Sequence, residues 1–264
     1  MITYRQLAVA ISHLDLDRTR PLIAHASLSS FGQVMGGAET VLGALVAACS
    51  GLMMPAFTYK TMITPEVGPP DNGIVYGSQE DLNQMAEFYT ADLPVDPLIG
   101  RVAETLRKHP RAKRSQHPIL SFAGIGVEDA LEAQTLQNPL APIEVLMQAG
   151  SNVLLIGVDH TANTSLHYAE KLAGRKQFVR WALTAQGVVE CPGFPGGSDG
   201  FQEAEKYLDE ITQRVTIGNA RIQALPLAEM VVIIKEWITA DPLAMLPEDS
   251  DDLRVQDARR AAMH

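Results

Sequence analysis

One stretch near the middle of the chain, residues 152–174 (NVLLIGVDHTANTSLHYAEKLAG), constrains the fold more than any other. Residues 152–158 form a short apolar run with several β-branched side chains, which is typical of a buried strand. A polar loop, residues 159–165, comes next. Apolar residues then recur at helical spacing over 166–173, and Gly174 ends the pattern. The stretch therefore predicts a strand, a loop and a helix in succession.

The first turn of this predicted helix carries a candidate general base. The helix is expected to begin among Asn163, Thr164 and Ser165, which are all favourable N-cap residues, so His167 lies in its first turn. A helix N-terminus disfavours a charged imidazole, and a neutral imidazole can accept a proton. Glu170 lies on the same helix face and can orient the ring, although its carboxylate favours the charged form. On these residues alone, a histidine that merely packs at a helix start is the commoner case.

A second unit of the same kind lies near the N-terminus. Residues 21–24 predict a strand, 52–55 predict a further strand, and a helix between them opens within 36–40 and continues to Val46. Together they indicate a β–α–β unit with parallel strands. The serines and glycines between strand and helix are compatible with an anion site. An ordinary strand-to-helix turn is the alternative, because the glycine spacing fits neither nucleotide-binding fingerprint. We predict an α/β fold in which residues 1–264 form a single domain, with a mostly parallel central sheet flanked by helices.

Three other segments have a distinctive composition. Residues 58–97 are irregular, rich in proline and glycine, and acidic, which predicts either a loop lining a pocket for a cation or a solvated insertion. Residues 107–114 are basic and could attract phosphate, or they simply end a helix with charge. The tail from about residue 241 is polar and is expected to be a surface appendage.

Charge and cysteine content narrow the class of protein. A net charge of −10 argues against a nucleic-acid partner and is compatible with a cationic substrate. The two cysteines, Cys49 and Cys191, exclude a disulfide framework and a multi-cysteine zinc site, which suits the cytoplasm. No signal peptide, membrane segment or metal-ligand spacing is recognised, so we expect neither a membrane partner nor a bound metal.

Four segments taken together resemble the aminoglycoside 3-N-acetyltransferase family. They are HASLSSFGQVMGGAETVLGAL (25–45), RSQHPILSFAGIG (114–126), LLIGVDHTANTSLHYAE (154–170) and PGGSDGF (195–201), in the order found in the family. The resemblance implies transfer of an acetyl group from acetyl-CoA to the 3-amino group of a 2-deoxystreptamine aminoglycoside, which confers antibiotic resistance.

The resemblance also implies roles for individual residues. His167 matches the family's catalytic base, and Asp199 lies where a further catalytic acid is expected, beside the Glu170 proposed above. The expected contacts of acetyl-CoA are Ser27, Leu28, Ser29, Gly36, Gly37, Thr164 and Ser165. The motif histidines His25 and His117, with the loop carboxylates Asp71 and Asp96, are the expected substrate contacts.

Elementary chemistry agrees with this assignment, because acetyl transfer requires an unprotonated amine, a base and donors for the developing negative charge. The basic 107–114 segment would suit the phosphates of CoA, and the acidic loop a polycationic sugar. One departure is Asp-Pro-Leu-Ile-Gly at 96–100, where the family usually has a serine-rich segment ending in Met-Gly. Two alternatives therefore stay open, a related acetyltransferase for another amine or hydroxyl and a CoA-binding protein without turnover. Either a monomer or a homodimer is expected.

Overall fold

The computed structural model describes residues 1–77 and 83–263. It contains the helices α1 (Tyr4–Ser12), α2 (Gly37–Val46), α3 (Arg101–Lys108), α4 (Glu128–Glu132), α5 (Ala141–Gln148), α6 (Ser165–Leu172), α7 (Glu205–Leu208), α8 (Leu227–Ala240) and α9 (Leu253–Ala262). Its strands are β1 (Pro21–Ala26), β2 (Gly51–Pro55), β3 (Met62–Ile63), β4 (Lys113–Arg114), β5 (Phe122–Ile125), β6 (Asn152–Ile156), β7 (Phe178–Thr184), β8 (Gly187–Phe194), β9 (Gln213–Ile217) and β10 (Ala220–Pro226).

Seven strands form the main sheet, in the order β4-β5-β2-β1-β6-β10-β9. The predicted α/β class is confirmed. Parallel pairing occurs at the centre, where β1 lies between β2 and β6, and the outer strands pair antiparallel. The antiparallel edge arises partly because only Gly218 and Asn219 connect β9 to β10, and so short a link allows a hairpin but no crossover.

The central strands are buried on both faces of the sheet. Residues 22–26 of β1 are all buried, as expected for a strand covered by helices on both sides. Side chains alternate along the strand, so Ile23 packs with the core that contains α6, whereas Leu22 and Ala24 pack with the core formed by α1 and α2. Because His25 is two residues beyond Ile23, it projects from the α6 side of the sheet.

A second sheet, in the order β3-β7-β8, extends the molecule on the side of the irregular segment. Strands β7 and β8 pair antiparallel as a hairpin. Asn72 fastens the irregular segment to β7, because its side chain accepts a hydrogen bond from the Val179 N–H and donates one to the Val179 carbonyl. Glu80 and Asp81, which contributed to the predicted acidic loop, lie outside the described residues.

The predicted surface tail is wrong. Met245, Leu246, Val255 and Ala258 are all buried, and the last two share one face of α9. These few apolar residues stand among many charged ones. The polar composition therefore gave no sign that a helix packs here through a narrow apolar face. Across the described residues, no helix is both long and apolar enough to cross a membrane.

Candidate active site

A cavity of about 540 Å³ opens at the carboxyl ends of β1, β2 and β6. The chain passes from β1 to β2 on one side of β1, and β6 pairs with β1 on its other side. The cavity therefore lies where the order of the strands in the sheet changes direction. Open α/β sheets bind ligands at such points. The loop after β6, the end of β8 and residues 97–101 complete the walls.

His167 lines this cavity and is held by a buried carboxylate. Its Nδ1 lies 2.8 Å from Oε2 of Glu170, a residue that is only 1% exposed. The other Glu170 oxygen accepts a hydrogen bond of 3.2 Å from Arg175, whose guanidinium also donates to the backbone carbonyls of Ala244 and Pro242. The structure therefore pairs His167 with Glu170 as the three-residue helical spacing predicts.

This arrangement determines which ring nitrogen of His167 is free for chemistry. When Nδ1 donates its proton to Glu170, the lone pair resides on Nε2. The ring of Phe201 packs against the imidazole at a centroid distance of 4.6 Å and restrains its rotation. An oriented imidazole with a free lone pair at a cavity wall can serve as a general base.

The predicted cofactor residues divide into two groups. Ser27, Leu28, Ser29 and Thr164 line the cavity, and the Ser27 and Ser29 hydroxyls lie 3.0 Å apart. Ser165 is fully buried at the start of α6, and its hydroxyl has no hydrogen-bond partner among the described residues. Gly36 and Gly37 open α2 with positive φ values and do not line the cavity.

The predicted acidic residues other than Glu170 are not brought together at the cavity. Asp199 is exposed, accepts a hydrogen bond from the Ser250 hydroxyl and does not line the cavity. Its predicted place beside His167 is therefore wrong. Asp71 lies 3.5 Å from Arg260 of α9, away from the cavity lining. Asp96 accepts a hydrogen bond from the N–H of Leu98, which itself lines the cavity.

The two motif histidines occupy different environments. His25 lines the cavity, whereas His117 lies outside its lining. The ring of His117 organises a turn instead, because Nδ1 accepts hydrogen bonds from the N–H groups of Ile119 and Leu120 at 3.1 and 3.0 Å. Burial lowers the pKa of His117 to about 4.

We expect this buried histidine to make the protein sensitive to acid. The unfolded pKa of His117 is about 6.5, so between pH 6.5 and 4 the unfolded chain binds more protons than the folded one. The free energy of unfolding should therefore fall as the pH falls through this window, by up to about 1.4 kcal/mol per pH unit for one such group. His117→Gln keeps an acceptor for the two N–H groups and should reduce this slope. Urea unfolding at several pH values measures it, and equal slopes in both proteins would contradict the assignment.

Several residues at the site were not predicted from the sequence. Tyr59, Arg101 and Arg254 line the cavity, and burial raises the pKa of Tyr59 to about 12. Arg254 belongs to α9 in the misjudged tail and pairs with Asp252. An apolar face within a charged segment was the only signal for it.

No residue of the basic segment 107–114 lines the cavity, so its predicted contact with phosphate stays a prediction. Arg107 pairs with Glu104 on the same helix. Arg114 donates to the backbone carbonyls of Ala56, Ala91 and Leu93, which makes it part of the scaffold. These arginines are satisfied within the fold before any ligand arrives.

The charge of the described cavity lining is partly compensated, because Arg254 forms an ion pair with Asp252, which is not itself a lining residue. Arg101 and Arg254 contribute guanidinium groups, and no aspartate or glutamate is present among the described lining residues. Glu170 lies behind His167 rather than on the cavity surface. Within the described chain, no cluster of three histidine, cysteine or acidic residues could hold a metal ion.

Comparison with known proteins gives a consistent result. Aminoglycoside N(3)-acetyltransferase VII of Streptomyces paromomycinus is 32% identical over 197 residues, which cover 67% of this chain and 64% of that protein. The crystal structure of the aminoglycoside acetyltransferase AAC(3)-IVa apoenzyme has the same fold, with a TM-score of 0.80, 24% identity and 98% coverage of both chains. AAC-IIIb, in a binary complex with CoASH, shares the fold with a TM-score of 0.72 and 20% identity over 90% of this chain and 96% of that one.

The family match covers most of the chain. The sequence profile described as Aminoglycoside 3-N-acetyltransferase matches residues 23–239, a span that begins within β1 and contains β2, β6 and His167. Both lining histidines, His25 and His167, and the serine-rich wall lie within that span, and Arg254 is the one described lining residue beyond it. This chain belongs to the aminoglycoside 3-N-acetyltransferase family.

Proposed function

We propose that the protein is an acetyl-CoA-dependent N-acetyltransferase in which His167 is the general base. The single observation that carries this proposal is the 2.8 Å contact between His167 and Glu170 at the wall of the cavity. A buried carboxylate that fixes the tautomer of an imidazole at a cavity wall is a recurring arrangement for proton removal.

The cavity fits a CoA thioester. Hydroxyl groups of Ser27, Ser29 and Thr164 can hydrogen-bond the polar groups of the cofactor, Leu28 offers an apolar surface, and Arg101 can pair with a phosphate. The Nε2 atom of His25 is buried and has no partner among the described residues, so an acceptor supplied by a ligand would satisfy it. The complex of AAC-IIIb with CoASH supports the same cofactor class.

Each residue at the site would have a separate role when the acceptor amine attacks. When bound, acetyl-CoA supplies an acetyl group activated as a thioester. His167 receives through Nε2 the proton that the amine loses as its nitrogen bonds to the acetyl carbon. Glu170 holds the ring in place and stabilises the imidazolium that results. Phe201 and the buried core behind it exclude water from this side of the ring.

The family favours the 3-amino group of a 2-deoxystreptamine aminoglycoside as the acceptor. We expect incubation with acetyl-CoA and gentamicin or apramycin to release free CoA thiol, which a thiol reagent detects. Heat-denatured protein and reactions without an aminoglycoside provide the controls. If acetyl-CoA binds but no deoxystreptamine compound causes thiol release, the aminoglycoside acceptor is rejected.

A second candidate is the same reaction on a different amine, and one observation favours it. A polycationic sugar is bound best by carboxylates. The described lining presents none of the acidic side chains expected there, and its two guanidinium groups are that of Arg101 and that of Arg254, which is paired with Asp252. A panel of singly charged amines, including amines that carry a carboxylate, tests this candidate alongside the antibiotics. A higher kcat/KM for the singly charged amines would support it, whereas turnover of the antibiotics alone would reject it.

A further inference from the structure

We infer that His25 is a second catalytic histidine, whose uncharged ring donates a hydrogen bond to the carbonyl oxygen of the acetyl thioester. This inference rests on the proposed use of acetyl-CoA. It assigns to His25 a task different from that of His167, because one ring would take up a proton and the other would stabilise negative charge.

The fold brings His25 to the side of the sheet where His167 lies. Side chains alternate along β1, so His25 shares a face with Ile23, which packs in the same core as Leu166 and Ala169 of α6. His25 is also at the carboxyl end of β1, next to Ala26, and both histidines line the same cavity. Strand position and cavity lining therefore place the two rings at one site.

The ring of His25 has an unmet hydrogen-bonding need. The residue is only 6% exposed, and its Nε2 atom is buried without a partner among the described residues. Buried polar atoms are nearly always paired, and an unpaired one destabilises the protein by roughly 1–3 kcal/mol. The residue lines the cavity, so a carbonyl oxygen of a ligand seated against the ring, once the ring turns Nε2 toward it, would provide the missing acceptor.

The environment of His25 suits a donor and not a base. No carboxylate of residues 1–77 and 83–263 is hydrogen-bonded to the ring, in contrast to His167, whose partner is Glu170. Burial lowers the pKa of His25 to about 3, so the imidazole is neutral at any ordinary working pH. A neutral imidazole N–H in a site without water can polarise a carbonyl group and release no proton.

The chemical balance of the step requires such a donor. As the carbon–nitrogen bond forms and the carbon–sulfur bond breaks, negative charge develops first on the carbonyl oxygen and then on sulfur. The amine proton goes to Nε2 of His167, and the imidazolium that results returns a proton to the departing thiolate, which leaves as the free CoA thiol. Nothing is oxidised or reduced. His25 would stabilise the charge on oxygen without itself exchanging a proton.

Infrared spectroscopy of bound acetyl-CoA, without an acceptor amine, tests the hydrogen bond directly. With a carbon-13 label at the thioester carbonyl, we expect a lower stretching frequency in the wild-type complex than in free acetyl-CoA. His25→Leu should abolish this downshift, and His25→Gln, which retains an N–H donor, should restore part of it. His117→Gln is the matched control, because it replaces a buried histidine with an unpaired Nε2 outside the cavity lining, and should retain the shift.

Kinetics with a productive amine add a second measurement. Loss of one donor of this kind typically lowers kcat by ~10²–10³-fold. We therefore expect His25→Leu to lower kcat to this extent while the Kd of acetyl-CoA changes less than about threefold.

The outcomes distinguish the two proposals. An unchanged carbonyl frequency in His25→Leu, or no downshift in the wild-type complex, would overturn the role of His25 while leaving acetyl-CoA as the donor. No binding of acetyl-CoA to the wild-type protein would overturn the proposed function itself. If His25→Leu does not fold, as circular dichroism would reveal, the spectra of the wild-type protein and His25→Gln decide the question.

Discussion

His167→Ala is expected to lower kcat by ~10²–10⁴-fold, the usual contribution of a general base. The substitution removes the imidazole whose Nδ1 contacts Glu170 and whose Nε2 is the proposed proton acceptor. The Kd of acetyl-CoA should stay nearly constant, because the thioester does not depend on this proton acceptor for binding. Steady-state kinetics with a productive amine, together with calorimetric titration of acetyl-CoA, measure both quantities.

His13→Ala is a suitable control for this experiment, because His13 is exposed at the end of α1, away from the cavity. It should leave kcat and the Kd of acetyl-CoA unchanged. Turnover in His167→Ala at the wild-type rate would remove His167 from the mechanism. A fall in acetyl-CoA affinity that matches the loss of kcat would instead make it a binding residue.

Glu170→Ala should reduce stability as well as turnover. Glu170 and Arg175 are both almost completely buried, with side chains 1% and 4% exposed, and removing the carboxylate leaves the guanidinium without its counter-charge. Breaking a buried ion pair in this way typically costs about 3–5 kcal/mol. The free energy of unfolding from guanidinium titration measures the loss, and kcat should fall because His167 loses its orientation.

Glu87→Ala offers the matched surface comparison. Glu87 pairs with Lys60, but both side chains are about half exposed, so the change in stability should stay below about 1 kcal/mol. In the double variant Glu170→Ala with Arg175→Met, the unpaired buried charge is absent, and part of the lost stability should return. Equal losses in Glu170→Ala and Glu87→Ala would show that burial of the Glu170–Arg175 pair has no energetic importance.

The pairing of His167 with Glu170 could be predicted from the sequence, because it depends only on residues that are close together in the chain. His167 and Glu170 are three residues apart, and a helix necessarily brings such residues together. The buried run of β6 and the β–α–β pattern around α2 were also recognised locally, since period and turn residues carry that information.

Features that depend on distant partners could not be predicted in this way. The carboxylate of Asp199 turns to Ser250, and that of Asp71 to Arg260, because each partner becomes a neighbour only through the tertiary fold. The entry of Arg254 into the cavity likewise depends on where α9 docks. The antiparallel pairing of β5 with β2 and of β10 with β6 could not be predicted either, because the sequence of a strand does not specify the direction of its neighbour.

The pairing of β1 with β6 also affects how the protein acquires activity after denaturation. Leu22 lies opposite Asn152, about 130 positions later in the chain, and contacts between such distant segments form slowly. His25 is carried by β1, and His167 follows β6, so neither ring can meet the other until these strands have joined. During renaturation, helical signal should therefore return well before enzymatic turnover does.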